Sequence, residues 1–294
     1  MDSLCLPVTA ADGAELCLHR LGPPVGCPVL LVPGLFSNHT FYLGTRRIGL
    51  ARHLAAEGFA CTVLDPRGHG QSARPAPDQH WTFEDWGLYD VPRALAEVSS
   101  SQKTFVVGHS AGGAAVLCAL AAHPELRSRV AGLVLLAAPA PRLGPARRVL
   151  AALARALSRA RGYFPARALA LGPEDEPGPV MEQWMGWNLS GRWQGRSGVD
   201  YLSRLGEIDL PLLAMAGGGD RLWAPPEACQ DLADRLASED WTFVVAGRRD
   251  GYSADLGHPG LVVSPLARRE VWPALSGWLR ERNSAARSVV GELA

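Results

Sequence analysis

Lysine is nearly missing: the chain has 294 residues and a single lysine, Lys103, so that almost all of its 29 basic residues are arginine. Net charge is missing as well, because 29 acidic residues balance the basic ones. A balanced chain has no long-range field drawing it to nucleic acid or to an anionic membrane, and no nucleic-acid partner is expected. Long apolar runs are absent. No stretch approaches the roughly 18 uninterrupted apolar residues of a membrane-spanning helix. Met1 to Pro7 lacks a basic run followed by an apolar core, so no secretory leader is read there and a cytoplasmic location is expected. The six cysteines (Cys5, Cys17, Cys27, Cys61, Cys118 and Cys229) lack metal-type spacing. They are expected to be reduced, mostly buried thiols, and no metal or cofactor is expected. Asn38-His39-Thr40 and Asn188-Leu189-Ser190 fit the glycosylation sequon and are read as chance matches.

What is present is apolar content. Hydrophobic residues make up 47% of the chain, enough for a sizeable core. Short apolar runs alternate with longer helical patterns. Residues 3–10 and 15–20 read as strands around the turn signal Asp12-Gly13, and further strands are expected at 28–32, 60–64, 104–107 and 130–136. Between them lie helical patterns at 45–57, at 83–98 with an interruption near Pro92, and at 110–122. The rhythm then stops: residues 140–206 carry helical patterns and no convincing strand. It resumes with strands at 212–216 and 241–245, a helix at 226–236 and a last amphipathic helix from about Leu266 to Arg282, fraying after Asn283. This order predicts an α/β fold: a mostly parallel central sheet with helices on both faces. Residues 1–139 and 207–294 would form the core, and 140–206 a helical cap inserted into it.

In such sheets the working site lies at the carboxyl ends of the strands. The strand ending at Val107 runs into Gly108-His109-Ser110-Ala111-Gly112 and then a helix. A serine on so sharp a turn is lifted clear of the sheet, provided its neighbours are small. Serine is a weak nucleophile and needs a base. His258, in the loop Asp255-Leu256-Gly257-His258-Pro259, is the only histidine after Asp220. Asp220 follows the strand 212–216 through Gly217-Gly218-Gly219 and is expected to orient that base, in preference to Asp250 or Asp255. Asp220 alone would read equally well as a turn or capping residue. An oxyanion needs backbone donors, here assigned to Ala111 and to Leu35 after Pro33-Gly34, with Phe36 as the less favoured alternative. One ionisation between about pH 5.5 and 8 should then govern activity.

These residues resemble the α/β-hydrolase superfamily along nearly the whole chain. Val32-Pro33-Gly34-Leu35-Phe36, Asp65-Pro66-Arg67-Gly68-His69-Gly70-Gln71-Ser72 and Gly108-His109-Ser110-Ala111-Gly112-Gly113 carry the resemblance. It implies a serine hydrolase, esterase- or lipase-like, acting on small-molecule esters with an apolar acyl group and needing no cofactor. Thioester, lactone or acyl-transfer chemistry on the same three residues, or a non-catalytic ligand-binding member of the fold, stay open. Serine at the nucleophile position argues against the dehalogenase and epoxide hydrolase branches, which carry aspartate there. Pro33 stands where many members have histidine before the glycine. The resemblance makes the Asp65–Ser72 turn structural, which removes His69 from the catalytic candidates. Phe36, Trp184, Trp187 and Trp223 are the candidate substrate-binding residues, with Trp193 a further aromatic of the insertion, and packing of the cap on the core is an equally weighted reading of the insertion's tryptophans. Glu174-Asp175-Glu176 could act on a polar substrate, but the preferred reading is a solvated loop.

Overall fold

In a computed structural model, residues 3–76, 79–99 and 102–292 are described, with side chains as far as residue 284. The Asp12-Gly13 turn joins β1 (Leu4–Thr9) to β2 (Glu15–Leu21) as an antiparallel hairpin. β3 (Cys27–Val32) is buried at all six positions, as befits a strand covered on both faces. Then come α1 (Thr40–Leu43), α2 (Leu50–Ala56), β4 (Phe59–Asp65), α3 (Val91–Val98), β5 (Thr104–His109), α4 (Ala111–Ala122) and β6 (Val130–Leu136). The segment after β6 holds α5 (Pro145–Arg161), the two-residue strands β7 (Tyr163–Phe164) and β8 (Glu176–Pro177), and α6 (Gly178–Ser190). β9 (Leu212–Gly217), α7 (Pro226–Ala233), β10 (Trp241–Ala246), α8 (Gly260–Val263) and α9 (Trp272–Glu292) complete the chain.

The eight long strands form one sheet in the order β1-β2-β4-β3-β5-β6-β9-β10. Only the β1–β2 and β2–β4 pairings are antiparallel. The period-two alternation of strand side chains sorts the core into two layers. Leu30, Val106 and Leu133 face α4 on one side of the sheet. Val29, Val107 and Val134 face α2 and α9 on the other. Truncating any of these leucines to alanine would cost about 2–5 kcal/mol.

Four expectations need correction. The helix read at 45–57 starts only at Leu50, because Gly44 and Arg47 both take positive φ and break the turn before it. The last helix does not stop at Asn283, since the backbone remains helical to Glu292. Residues 140–206 are not free of strand, because β7 and β8 pair antiparallel there. Cys5 and Cys17 are joined in a disulfide between β1 and β2, whereas Cys27, Cys61, Cys118 and Cys229 are free and buried. Cross-strand placement on the hairpin brings the two sulfurs together, which separation along the chain does not reveal. Among the described residues, no helix is long and apolar enough to cross a membrane.

Candidate active site

β5 delivers Ser110 to the top of the sheet. The residue has φ 53° and ψ −126°, outside the regions that L-residues prefer. Such a conformation persists only where the surroundings enforce it. Here they do so by close approach. A Cβ on Gly108 would lie 2.5 Å from the Gly113 Cα, and one on Gly112 would lie 2.4 Å from the Pro33 carbonyl oxygen. The Ser110 N–H donates to Leu136 O on the neighbouring strand at 2.8 Å.

Ser110 Oγ lies 2.9 Å from His258 Nε2, and His258 Nδ1 lies 2.6 Å from Asp220 Oδ2. Three distant stretches of chain thus meet in one line of hydrogen bonds. Asp220 is buried, and its two oxygens also accept the Trp223 and Ala224 N–H groups, each at 3.0 Å. Burial alone would raise its pKa. The bond to His258, the charge of that ring and the two amides outweigh burial and hold it below the usual value. Of the other two candidates, Asp255 accepts the Arg248 N–H at 2.8 Å and Asp250 lies in a short helical turn, Arg248–Asp250.

His109, beside the serine, was not singled out from the sequence. Its Nε2–H faces the carbonyl oxygen of His258 at 3.2 Å, and its Nδ1 is buried without a partner among the described residues. Burial, then the neighbouring His258 charge, push its pKa down to about 3, so the ring is neutral at pH 7.

The loop after β3 lies alongside. The N–H groups of Leu35 and Ala111 meet no protein acceptor among the described residues. Phe36 N–H is committed elsewhere: it donates to Glu176 Oε1 at 2.6 Å. Phe36 has φ 63°, and its carbonyl accepts the Glu174 N–H at 3.1 Å. Glu174 Oε1 accepts from Asn38 Nδ2 at 2.6 Å and from the Gly70 N–H at 3.0 Å. Glu174 and Glu176 are therefore buried, and the solvated-loop reading fails for both; only Asp175, paired with Arg167, fits an outer position. Two of the three acids face inward because the paired β7 and β8 turn this loop toward the sheet.

His69 is fully buried, with Nδ1 3.1 Å from Arg67 O and Nε2 2.9 Å from Glu176 Oε1. Both ring nitrogens face acceptors. Burial opposes protonation, but the charge of Glu176 and its hydrogen bond prevail and raise the pKa.

Among the aromatic candidates, the Trp223 ring lies 6.3 Å from both His258 and Phe36 and is 41% exposed, so it stands at the mouth. Phe164, which the sequence reading missed, stacks on Phe36 at 5.5 Å. Trp184 and Trp187 pack on Phe83 at 4.7 and 5.4 Å, and Trp187 also meets Trp193 at 6.0 Å. Their ring partners do not include His258. A cleft of about 470 Å³ opens between residues 37–49 and 262–272. Phe41, on its wall, lies 4.6 Å from the His109 ring.

Among the described residues, Cys17, His19 and Asp65 form the one group with ligand atoms close enough to share an ion. Asp65 already accepts from His19 Nε2, from the ring and backbone of His39, and from the Gln71 N–H. Cys17 is held in the disulfide. The group braces the Asp65 turn and does not present an open ligand set.

Comparison with known proteins bears on the fold. A family model described as alpha/beta hydrolase fold matches residues 28–172. Poly(3-hydroxyalkanoate) polymerase subunit PhaC of Haloferax mediterranei is 38% identical over 79 residues, 27% of this chain and 14% of that protein. Human lipase member K is 26% identical over 142 residues, 42% of this chain and 36% of that protein. The chain thus spans well under half the length of these curated relatives. The solved esterase from Exiguobacterium antarcticum superposes with a TM-score of 0.67 at 20% identity, over 94% of this chain and all of that one. The chain has the α/β-hydrolase fold.

Proposed function

We propose that the chain is a serine hydrolase that cleaves carboxylic esters through an acyl-enzyme on Ser110. The observation that carries this reading is the unbroken line from Ser110 Oγ to His258 Nε2 to Asp220 Oδ2, at 2.9 and 2.6 Å. His258 takes the hydroxyl proton as Oγ attacks the ester carbonyl, then returns it to the departing alcohol. Asp220 fixes the tautomer with Nδ1 protonated and stabilises the imidazolium formed in between. Water then repeats the sequence on the acyl-enzyme, releasing the acid and restoring Ser110.

The oxyanion would sit between the Leu35 and Ala111 N–H groups. Engagement of the Phe36 amide by Glu176 favours Leu35 over Phe36 as the second donor. Ala111 opens α4, whose dipole also favours negative charge at that end. Phe36, Phe164 and Trp223 offer the apolar contact for the acyl group or the alcohol, supporting an apolar ester. Residues 140–206 act as a cap over this mouth, with Trp184 and Trp187 packing it and Phe164 reaching the site.

Turnover of short- and long-chain chromogenic esters by the wild type and by Ser110→Ala tests the proposal. The wild type should release chromophore, and the folded variant should fall to background. Undetectable turnover by the wild type across the series would favour a non-catalytic ligand-binding role, and an active Ser110→Ala would remove the nucleophile assignment.

A further inference from the structure

α5 turns its apolar face away from the protein. Ala151 and Ser158 are its buried residues, and α6 lies along that side. Val149, Leu150, Leu153 and Leu157 are instead 60, 53, 62 and 36% exposed. At about 100° per residue these four project within one quadrant or so of the helix, opposite Ser158. A helix packed on a protein core normally shows the reverse arrangement.

The charges beside the stripe have one sign. Arg148 and Arg159 flank it on one side and Arg147 and Arg161 on the other, Arg155 lies on the far side beside Gly186 of α6, and Pro145–Arg161 contains no acidic residue. Arg159 meets Glu182 of α6. For Arg147, Arg148 and Arg161, no carboxylate partner exists among the described residues. Arg161 also donates to the Tyr163 hydroxyl, which sits just past the helix.

We propose that α5 is a docking surface for an anionic lipid bilayer. The leucine stripe would enter the boundary between headgroups and acyl chains, and the flanking arginines would meet the lipid phosphates. Charge complementarity selects this occupant over a second copy of the chain. Two stripes packed face to face would set arginine against arginine, with no acid on either helix to compensate. Zero net charge does not oppose the proposal, because attraction at a bilayer acts within a Debye length and reads the local face. The arrangement also fits the site. α5 leads directly into β7, whose Phe164 stacks on Phe36, so a docked helix would set the mouth of the active site beside the lipid phase.

The test uses the full chain carrying Ser110→Ala, so that the readout is binding and not turnover. Co-sedimentation is measured with vesicles of phosphatidylcholine alone and of phosphatidylcholine with phosphatidylglycerol. The protein should bind the anionic vesicles at least about tenfold more tightly than the neutral ones, and added salt should weaken that binding. Leu153→Glu/Leu157→Glu and, separately, Arg147→Glu/Arg148→Glu should each lower binding by about tenfold or more while leaving circular dichroism unchanged. Both pairs are surface substitutions, so folding should survive them. Equal binding to both vesicle types, or no loss in either variant, would overturn the proposal. So would a dimer, seen by light scattering without vesicle binding and abolished by the leucine variant. Since none of these readouts involves ester cleavage, the proposal can fail while the hydrolase reading stands, and the reverse.

Discussion

The amide of Phe36 donates to the carboxylate of Glu176 across 140 residues of chain, at 2.6 Å, in a wholly buried contact. The residue so held has φ 63° and directly follows Leu35. Positive φ at a phenylalanine costs about 1–3 kcal/mol unless its surroundings enforce it. Glu176 on the amide and the Glu174 N–H on the carbonyl provide that enforcement. The clamp therefore sets the direction of the Leu35 N–H, the proposed second oxyanion donor.

Glu176→Gln should lower kcat by about 10- to 100-fold with little change in KM, a partial form of the 2.7–4 kcal/mol seen when an oxyanion donor is removed outright. Affinity for a phosphonate transition-state analogue should fall in proportion to kcat. A loss of thermal stability with kcat and analogue affinity intact would reduce Glu176 to a structural role.

Asp220→Asn should leave the fold in place and lower kcat by about 10⁴-fold, because an amide permits the wrong tautomer of His258. Asp250→Asn and Asp255→Asn should stay near wild type. Near-normal turnover in Asp220→Asn would move the orienting role to another acid.

The clamp also has a pH signature through His69. Its pKa is raised on folding by Glu176 against the effect of burial. A raised folded pKa stabilises the protein fully below the unfolded histidine value, near 6.5, and the contribution is lost as pH rises through the folded value. The Tm gap between the wild type and His69→Gln should therefore be widest at about pH 6 and shrink by about pH 9. A gap that widens with pH would mean that His69 is buried neutral.

The aromatic residues divide by position. Trp223→Ala should change KM and chain-length preference with little effect on Tm, since the ring is at the mouth and 41% exposed. Trp187→Ala should cost about 3–5 kcal/mol of stability and leave the preference of the surviving enzyme alone. Stability curves and an ester series on both variants decide the matter, and the reverse pattern would place the substrate under the insertion near Trp187.

The sheet was legible because buried parallel strands are short apolar runs, and the runs at Val29, Val106 and Val134 have no competing reading. Ser110 was legible because glycines at 108 and 112 are what so close a backbone crossing requires. Asp220 was proposed from its place at a strand end and His258 as the only histidine after it, and the two lie within hydrogen-bond distance although 38 residues separate them. The acidic clamp was not legible. Glu174 and Glu176 look solvated in a loop rich in proline and acid, and only the pairing of β7 with β8 turns them inward. His109 was overlooked for the opposite reason: a variable position inside a motif carries no signal until its ring is seen against the carbonyl of His258. The Cys5–Cys17 disulfide depends on hairpin register and cannot be read from spacing.

The central claim is that an acyl group is carried on Ser110. The direct measurement is peptide-mapping mass spectrometry after reaction with a slowly hydrolysed activated ester. The expected result is one acyl adduct, on the peptide containing Ser110, absent from Ser110→Ala and strongly reduced in His258→Ala. An adduct on another residue, or ester turnover that persists in Ser110→Ala, would contradict the account.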